Sequence, residues 1–275
     1  MTSSERLTGV VELEAQAINQ IGKCTLINED CITAMDKLIA EGIKVDCILT
    51  DPPYEYGSIG GGNTELSKRA KKVRQEIDFI SKGFDYDAVF ERMLKICKVP
   101  NLLIFCSNKQ ITKIMSYFEN KKLSVTLLTW NKTNAIPCCN KKHIGNLEFV
   151  IYVRGKGATW NDEAPLNIKT KNKDYPTVCG KNRLHPTEKP LKLIEEYLEL
   201  HTKENQLVLD CFGGSFTTGV ACQNLNRQFI GIEYNPTEGE HDKFYNIGLE
   251  RIKKNYELLL QTTNKIWGHK PNSLH

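Results

Sequence analysis

The sequence predicts an α/β fold: a mostly parallel central sheet with one antiparallel strand, and helices on both faces. Two features carry the prediction. Short apolar runs alternate with amphipathic windows along most of the 275 residues. Two of those runs also end in unusual turns, Asp51-Pro52-Pro53-Tyr54 after 45–50 and the Gly-rich stretch 211–219 after 206–210. Continuous apolar runs suit strands buried on both faces, and open sheets bind ligands outside strand carboxyl ends.

Taken in order, a polar start leads into an amphipathic helix predicted over residues 10–21. Strand 24–28, helix 31–41 and strand 45–50 form a compact βαβ unit. Residues 55–83, with Gly57, Gly60, Gly61 and Gly62, form a long insertion after the turn, expected to be a mobile lid. Helix 84–97, strand 101–106, helix 108–120 and strand 123–130 continue the sheet. A polar connection spans 132–145, and 147–153 is the strand expected to return antiparallel. Residues 154–184, rich in Lys, Asn, Gly and Pro, show little periodicity. Helix 190–201, strand 206–210, helix 216–225, strand 228–232 and helix 240–261 complete the chain before a polar tail.

Composition narrows the class without naming it. Hydrophobic residues make up 40% and charged residues 25%, an ordinary globular balance, and the net charge of +4 permits a polyanionic partner. Basic residues cluster at Lys68, Arg69, Lys71, Lys72 and Arg74, and again at Lys169, Lys171 and Lys173. A charge run is as readily a solvated face, but both clusters flank the Asp51 turn in sequence and are candidates for phosphate contact. The start of the chain is polar and no run reaches membrane-spanning length, so no signal peptide and no membrane are expected. Ten cysteines, several in apolar runs, fit free thiols in a reducing cytoplasm better than a disulfide framework. Cys138-Cys139 with His143 lacks a second ligand pair, and no metal is expected.

The two turns carry the chemistry. Prolines fix φ and remove amide donors, leaving a stiff turn whose carbonyls accept hydrogen bonds. Asp51, a backbone carbonyl and the Tyr54 ring would cradle a planar group bearing an NH2, although the tetrapeptide alone reads equally as a strand-ending turn. In the second turn, glycines allow close backbone approach before a helix whose amino end favours a carboxylate. Glu233 ends the next strand 23 residues after Asp210, the spacing of an acid that binds ribose hydroxyls. The glycines are not GxGxxG and no Lys follows them, so an adenosine attached to an amino acid fits better than a dinucleotide or ATP.

With Asp51-Pro52-Pro53-Tyr54 preceding Asp210-Cys211-Phe212-Gly213-Gly214, the chain resembles the S-adenosylmethionine-dependent amino-group DNA methyltransferases of the permuted β class. The resemblance spans roughly residues 23–260 and includes His185-Pro186-Thr187-Glu188-Lys189-Pro190, Glu29-Asp30, and 103–107, 128–132 and 146–152. It implies a Rossmann-like methyltransferase fold with circularly permuted motif order. Residues 1–275 would form one catalytic domain: a catalytic half at 23–153, a short target-recognition-like insertion at 154–184, a cofactor half at 185–261 and a tail at 262–275.

The resemblance also implies roles. Asp51, Pro52, Pro53 and Tyr54 would hold the target amine, with Asp51 bordering the cofactor. Asp30 would meet the cofactor's adenine, Glu233 its ribose, and Asp210, Phe212, Gly213, Gly214 and Ser215 its methionine moiety, with His185, Thr187 and Lys189 near the carboxylate. An Asp at the first position resembles adenine-N6 enzymes acting on a flipped base in double-stranded DNA. Cytosine-N4 enzymes mostly carry Ser there, and RNA or protein methyltransferases Asn; inactive binding modules tend to lose one of the turns. Expected partners are double-stranded DNA, a second copy of the chain and a cognate restriction endonuclease, in the cytoplasm of a bacterial or phage-infected cell.

Overall fold

The computed structural model describes residues 18–54, 84–135, 143–180, 183–185, 187–234 and 243–267. The expected lid at 55–83, with its basic cluster Lys68 to Arg74, and Cys138-Cys139 lie outside the described residues. Strands β1 (Ile18–Ile21), β2 (Cys24–Ile27), β3 (Cys47–Thr50), β4 (Asn101–Cys106), β5 (Ser124–Lys132), β6 (Leu147–Arg154), β7 (Asn172–Tyr175), β8 (Leu207–Asp210) and β9 (Gln228–Ile232) form one sheet. Their order is β1-β2-β9-β8-β3-β4-β6-β5-β7.

Alternation along the central strands explains the layers, because successive side chains point to opposite faces. Ile48, Leu102, Ile104, Ile151, Leu209 and Ile230 face one way, against helices α1 (Cys31–Ala40), α2 (Tyr86–Ile96) and α3 (Ile111–Glu119). Cys47, Leu49, Leu103, Phe105, Val150 and Phe229 face the other, against α4 (Leu191–His201), α5 (Thr217–Asn224) and α6 (Lys243–Trp267). Both faces are covered, as the apolar runs require. Asp30 caps α1 by accepting from Ile32 and Thr33 amides at 3.0 and 3.1 Å, and Asp85 caps α2 through Ala88 at 3.0 Å.

Strand pairing is parallel from β2 through β9, β8, β3 and β4, and β6 runs antiparallel to both β4 and β5 as expected. Three expectations need correction. Residues 18–21 are not the end of a helix but strand β1, antiparallel to β2 across a turn with Gly22 at φ +57°, so β1 joins β6 as a second strand running against the rest. The 154–184 stretch holds an edge strand, β7, parallel to β5. Finally, α6 runs on to Trp267, past the predicted end at 261.

From adjacent β3 and β8 the chain moves in opposite directions, to β4 through α2 and to β9 through α5. That divergence opens a crevice at the carboxyl ends of β3 and β8, where both unusual turns sit.

Candidate active site

Asp51 follows β3 and Asp210 ends β8; Thr50 Oγ1 donates to Asp210 Oδ1 at 2.8 Å, tying the two strand ends together. The 160-residue separation in sequence becomes adjacency in the sheet.

On the β3 side the tetrapeptide is held from several directions. The Pro53 carbonyl accepts from Tyr86 Oη at 2.5 Å and from Gln110 Nε2 at 3.2 Å. Tyr54 is 8% exposed, packed into the second apolar layer, and its hydroxyl donates to Glu148 Oε1 at 2.7 Å. Asp51 Oδ2 pairs with Lys189, whereas Asp51 Oδ1 is buried with no hydrogen-bond partner among the described residues. Lys189 also pairs with Glu148 Oε1 at 2.9 Å and reaches the Thr187 carbonyl at 3.3 Å; Lys132 meets Glu148 Oε2 at 2.7 Å.

Two carboxylates and two ammoniums thus share one largely buried cluster. Burial would raise Glu148, but Lys189 and Lys132 hold it down to about 2. Asp51 is raised by burial; Lys189 offsets part of that and the Glu148 charge adds to it. Burial works against the Lys189 ammonium, yet Asp51 and Glu148 together hold its pKa above the ordinary lysine value.

The β8 and β9 side is built differently. Asp210 accepts from Thr50 Oγ1, from Thr218 Oγ1 at 2.7 Å and from the Phe212 amide at 3.1 Å, and burial pushes it up to about 6. Glu233 accepts from the Gly214 amide at 2.7 Å and is pushed by burial up to about 7. Neither carboxylate has a salt-bridge partner among the described residues. Gly214 is left-handed at φ +52°, and a Cβ on Gly213 would lie 2.2 Å from the Phe216 ring, so both positions need glycine. Arg251 of α6 pairs with Glu188 at 2.9 Å and donates to the Ser215 carbonyl and to Thr217 Oγ1, fastening 187–189 to the Gly-rich turn. His185 packs on Phe244 beside Gly214; burial pushes it down to about 4, leaving a neutral ring whose Nδ1 lies 3.1 Å from Thr187 Oγ1.

Several sequence expectations meet a different arrangement. The hydrogens of Lys189, expected near a cofactor carboxylate, are committed to Asp51, Glu148 and Thr187. Lys173, expected to meet phosphate, is 4% exposed, with its ammonium on the Ile168 carbonyl and on Glu196. A buried ammonium keeps such partners because leaving them unpaired is costly. Lys169 reaches the Asp162 carbonyl, while Lys171 is exposed. Asp30 is exposed at the end of β2 with Oδ1 engaged in capping α1. Glu148, Lys132 and Arg251 were not among the candidates. The usable signal was Glu148 itself, a lone acid inside an apolar strand, since buried acids are rare unless paired.

The fold is of the doubly wound class, and its two unusual turns are set side by side at the carboxyl ends of β3 and β8. Residues 45–241 match the DNA methylase model of the N6/N4 methyltransferases. The chain belongs to the N6/N4 DNA methylase family. It is 26% identical over 232 residues to Type II methyltransferase M2.LlaDCHI of Lactococcus lactis subsp. cremoris, covering 76% of this chain and 83% of that protein. Type II methyltransferase M2.DpnII of Streptococcus pneumoniae is also 26% identical, over 229 residues, covering 77% and 85%. Among solved structures, the M1.HpyAVI–SAM complex superposes with a TM-score of 0.60 at 28% identity, covering 83% of this chain and 99% of that one. The protein is therefore an S-adenosylmethionine-dependent DNA methyltransferase, with DNA as its substrate. Among the described residues, no helix is long and apolar enough to cross a membrane.

Proposed function

We propose that the protein is a site-specific DNA adenine-N6 methyltransferase acting on a base flipped out of the duplex, with the whole chain working as one catalytic unit. The observation that carries this reading is the buried, unpartnered Asp51 Oδ1 beside the Gly-rich turn. An open buried acceptor costs about 1–3 kcal/mol, which a ligand's donor would relieve. An exocyclic amine offers two hydrogens: Asp51 Oδ1 takes one, and the Pro52 carbonyl the other, because the Pro53 carbonyl is already bonded to Tyr86 and Gln110.

S-adenosylmethionine supplies an already activated methyl group, so the enzyme's work is positioning and charge. Asp51 and Pro52 orient the amine lone pair, and Tyr54 stacks on the base, offsetting part of the few kcal/mol that flipping costs. The methylated amine then loses its extra proton to solvent without need of a strong base. For the cofactor, Glu233 accepts from the ribose hydroxyls, Asp30 meets the adenine edge, and Asp210, Phe212, Gly213, Gly214 and Ser215 line the methionine moiety with Thr187 and His185. Exposed Lys171, with Lys169 and the 68–74 cluster, is the phosphate contact in this reading. Pairing with a second copy and with a restriction endonuclease belongs to the same proposal.

The test is nucleoside mass spectrometry on unmethylated genomic DNA after incubation with labelled S-adenosylmethionine. N6-methyladenine is the expected product. N4-methylcytosine would keep the cradle and change the base, and absence of any methylated base would overturn the reading.

A further inference from the structure

Glu148 has no part in the chemistry above, yet it touches both arms of the cradle. It lies on β6 opposite Trp130 of β5, with its side chain 10% exposed. One oxygen, Oε1, takes the Tyr54 hydroxyl at 2.7 Å and the Lys189 ammonium at 2.9 Å; the other takes Lys132 at 2.7 Å. Lys189 in turn binds Asp51 Oδ2. A single carboxylate therefore links the ring and the acid of a tetrapeptide that is remote from it in sequence.

We propose that Glu148 is a positioning residue for base methylation, fixing the Tyr54 ring through its hydroxyl and turning the free oxygen of Asp51 toward the base through Lys189. The inference rests on the reading of residues 51–54 as the base cradle. Three arguments support it. The Tyr54 ring is packed in the second apolar layer, and its hydroxyl, at the far end from the stiff turn, is anchored on Glu148, which sets the tilt of the ring. Lys189 bridges two carboxylates, so Glu148 fixes the ammonium that holds Asp51 Oδ2, and Oδ1 is the oxygen left open. Lys132, on the neighbouring strand β5, balances the extra negative charge that this arrangement introduces. Misplacing a reacting group by about 1 Å costs on the order of 10²-fold in rate, so a residue that touches no substrate can still control turnover.

The experiment uses the full chain, tritiated S-adenosylmethionine and unmethylated genomic DNA, with Glu148→Ala, Glu148→Gln, Tyr54→Phe and the double variant Tyr54→Phe/Glu148→Ala. Cofactor affinity, melting temperature, kcat and KM for DNA are measured for each. The expected result is that Tyr54→Phe, which keeps the ring, lowers kcat about tenfold, and Glu148→Ala about 10–100-fold, with cofactor affinity unchanged. The double variant falls no further than Glu148→Ala, because both changes cut one linkage. Glu148→Gln retains an acceptor for Tyr54 and recovers part of the Glu148→Ala loss. Wild-type kcat in Tyr54→Phe, or losses that multiply in the double variant, would overturn the inference even if Glu148→Ala failed to fold. If wild-type protein leaves no methyl group on DNA amines, the cradle reading itself fails; if it methylates and the variants match it, only the role of Glu148 fails.

Discussion

The two strand ends that meet in the crevice manage negative charge in opposite ways. At the end of β3, Asp51 and the nearby Glu148 are matched by Lys189 and Lys132 within the protein. At the ends of β8 and β9, Asp210 and Glu233 are bonded, among the described residues, only to hydroxyls and backbone amides. Their carboxyl groups are accordingly pushed up to about 6 and about 7, while Glu148 is held at about 2. The proposed catalytic end carries its own counterions. The proposed cofactor end has no cation paired with its carboxylates among the described residues, which suits a ligand that arrives with positive charge and hydroxyl donors.

The largest effect expected from breaking this contrast is at the catalytic end. Asp51→Ala removes the open acceptor and should lower methyl transfer by about 10²–10³-fold, while calorimetry finds cofactor binding largely intact. Loss of cofactor binding together with unfolding would instead make Asp51 a structural counterion of Lys189.

Next in size is the cofactor end. Burial pushes Glu233 up to about 7, and in the proposed cofactor role it accepts two ribose hydroxyls as the carboxylate. Cofactor affinity should therefore rise with pH toward about 7 and level off above it. Glu233→Gln should weaken binding about tenfold and flatten that limb, as titration calorimetry across pH would show. An unchanged limb in the variant would assign the proton to another group.

A smaller effect probes the scaffold beneath the cofactor turn. A Cβ on Gly248 would lie 2.3 Å from the Phe216 ring, which also abuts Gly213 and Gly231. Gly248→Ala should cost about 1–3 kcal/mol by overpacking, read as a lower denaturation midpoint, despite alanine's better helix propensity. The smallest contrast separates two lysines only two positions apart. Lys171→Ala should flatten the salt dependence of DNA binding by about one unit of slope, whereas Lys173→Ala should lower stability by stranding Glu196.

Much of this was legible in the sequence, for physical reasons. Buried parallel strands are written as uninterrupted apolar runs, so 45–50, 101–106, 206–210 and 228–232 declared themselves along with the turns that end them. Edge strands were not legible. Asn172-Lys173-Asp174-Tyr175 has no apolar alternation, and Ile18-Asn19-Gln20-Ile21 fits a helical period as well as a strand. The charge cluster was half legible: Asp51 and Lys189 stood out, but the acid that joins them, Glu148, is placed by β6 returning beside β4, a register that no local pattern encodes. Lys173 misled because a lysine in a polar stretch reads as solvated until a buried acid is found across from it.

The contact between β3 and β8 has a further consequence, for how the chain is made. Strand β3 is near the middle of the sheet, yet its partner on one side begins only at Leu207. As the polypeptide leaves the ribosome, β3 can pair with β4 early, but its other edge stays open until well over half the chain has been synthesised. Such a long-range closure is slow, and an exposed apolar strand edge in the meantime invites aggregation. The same hydrogen bond from Thr50 to Asp210 that ties the two turns together would then mark a late step in folding, when β8 closes the open edge of β3.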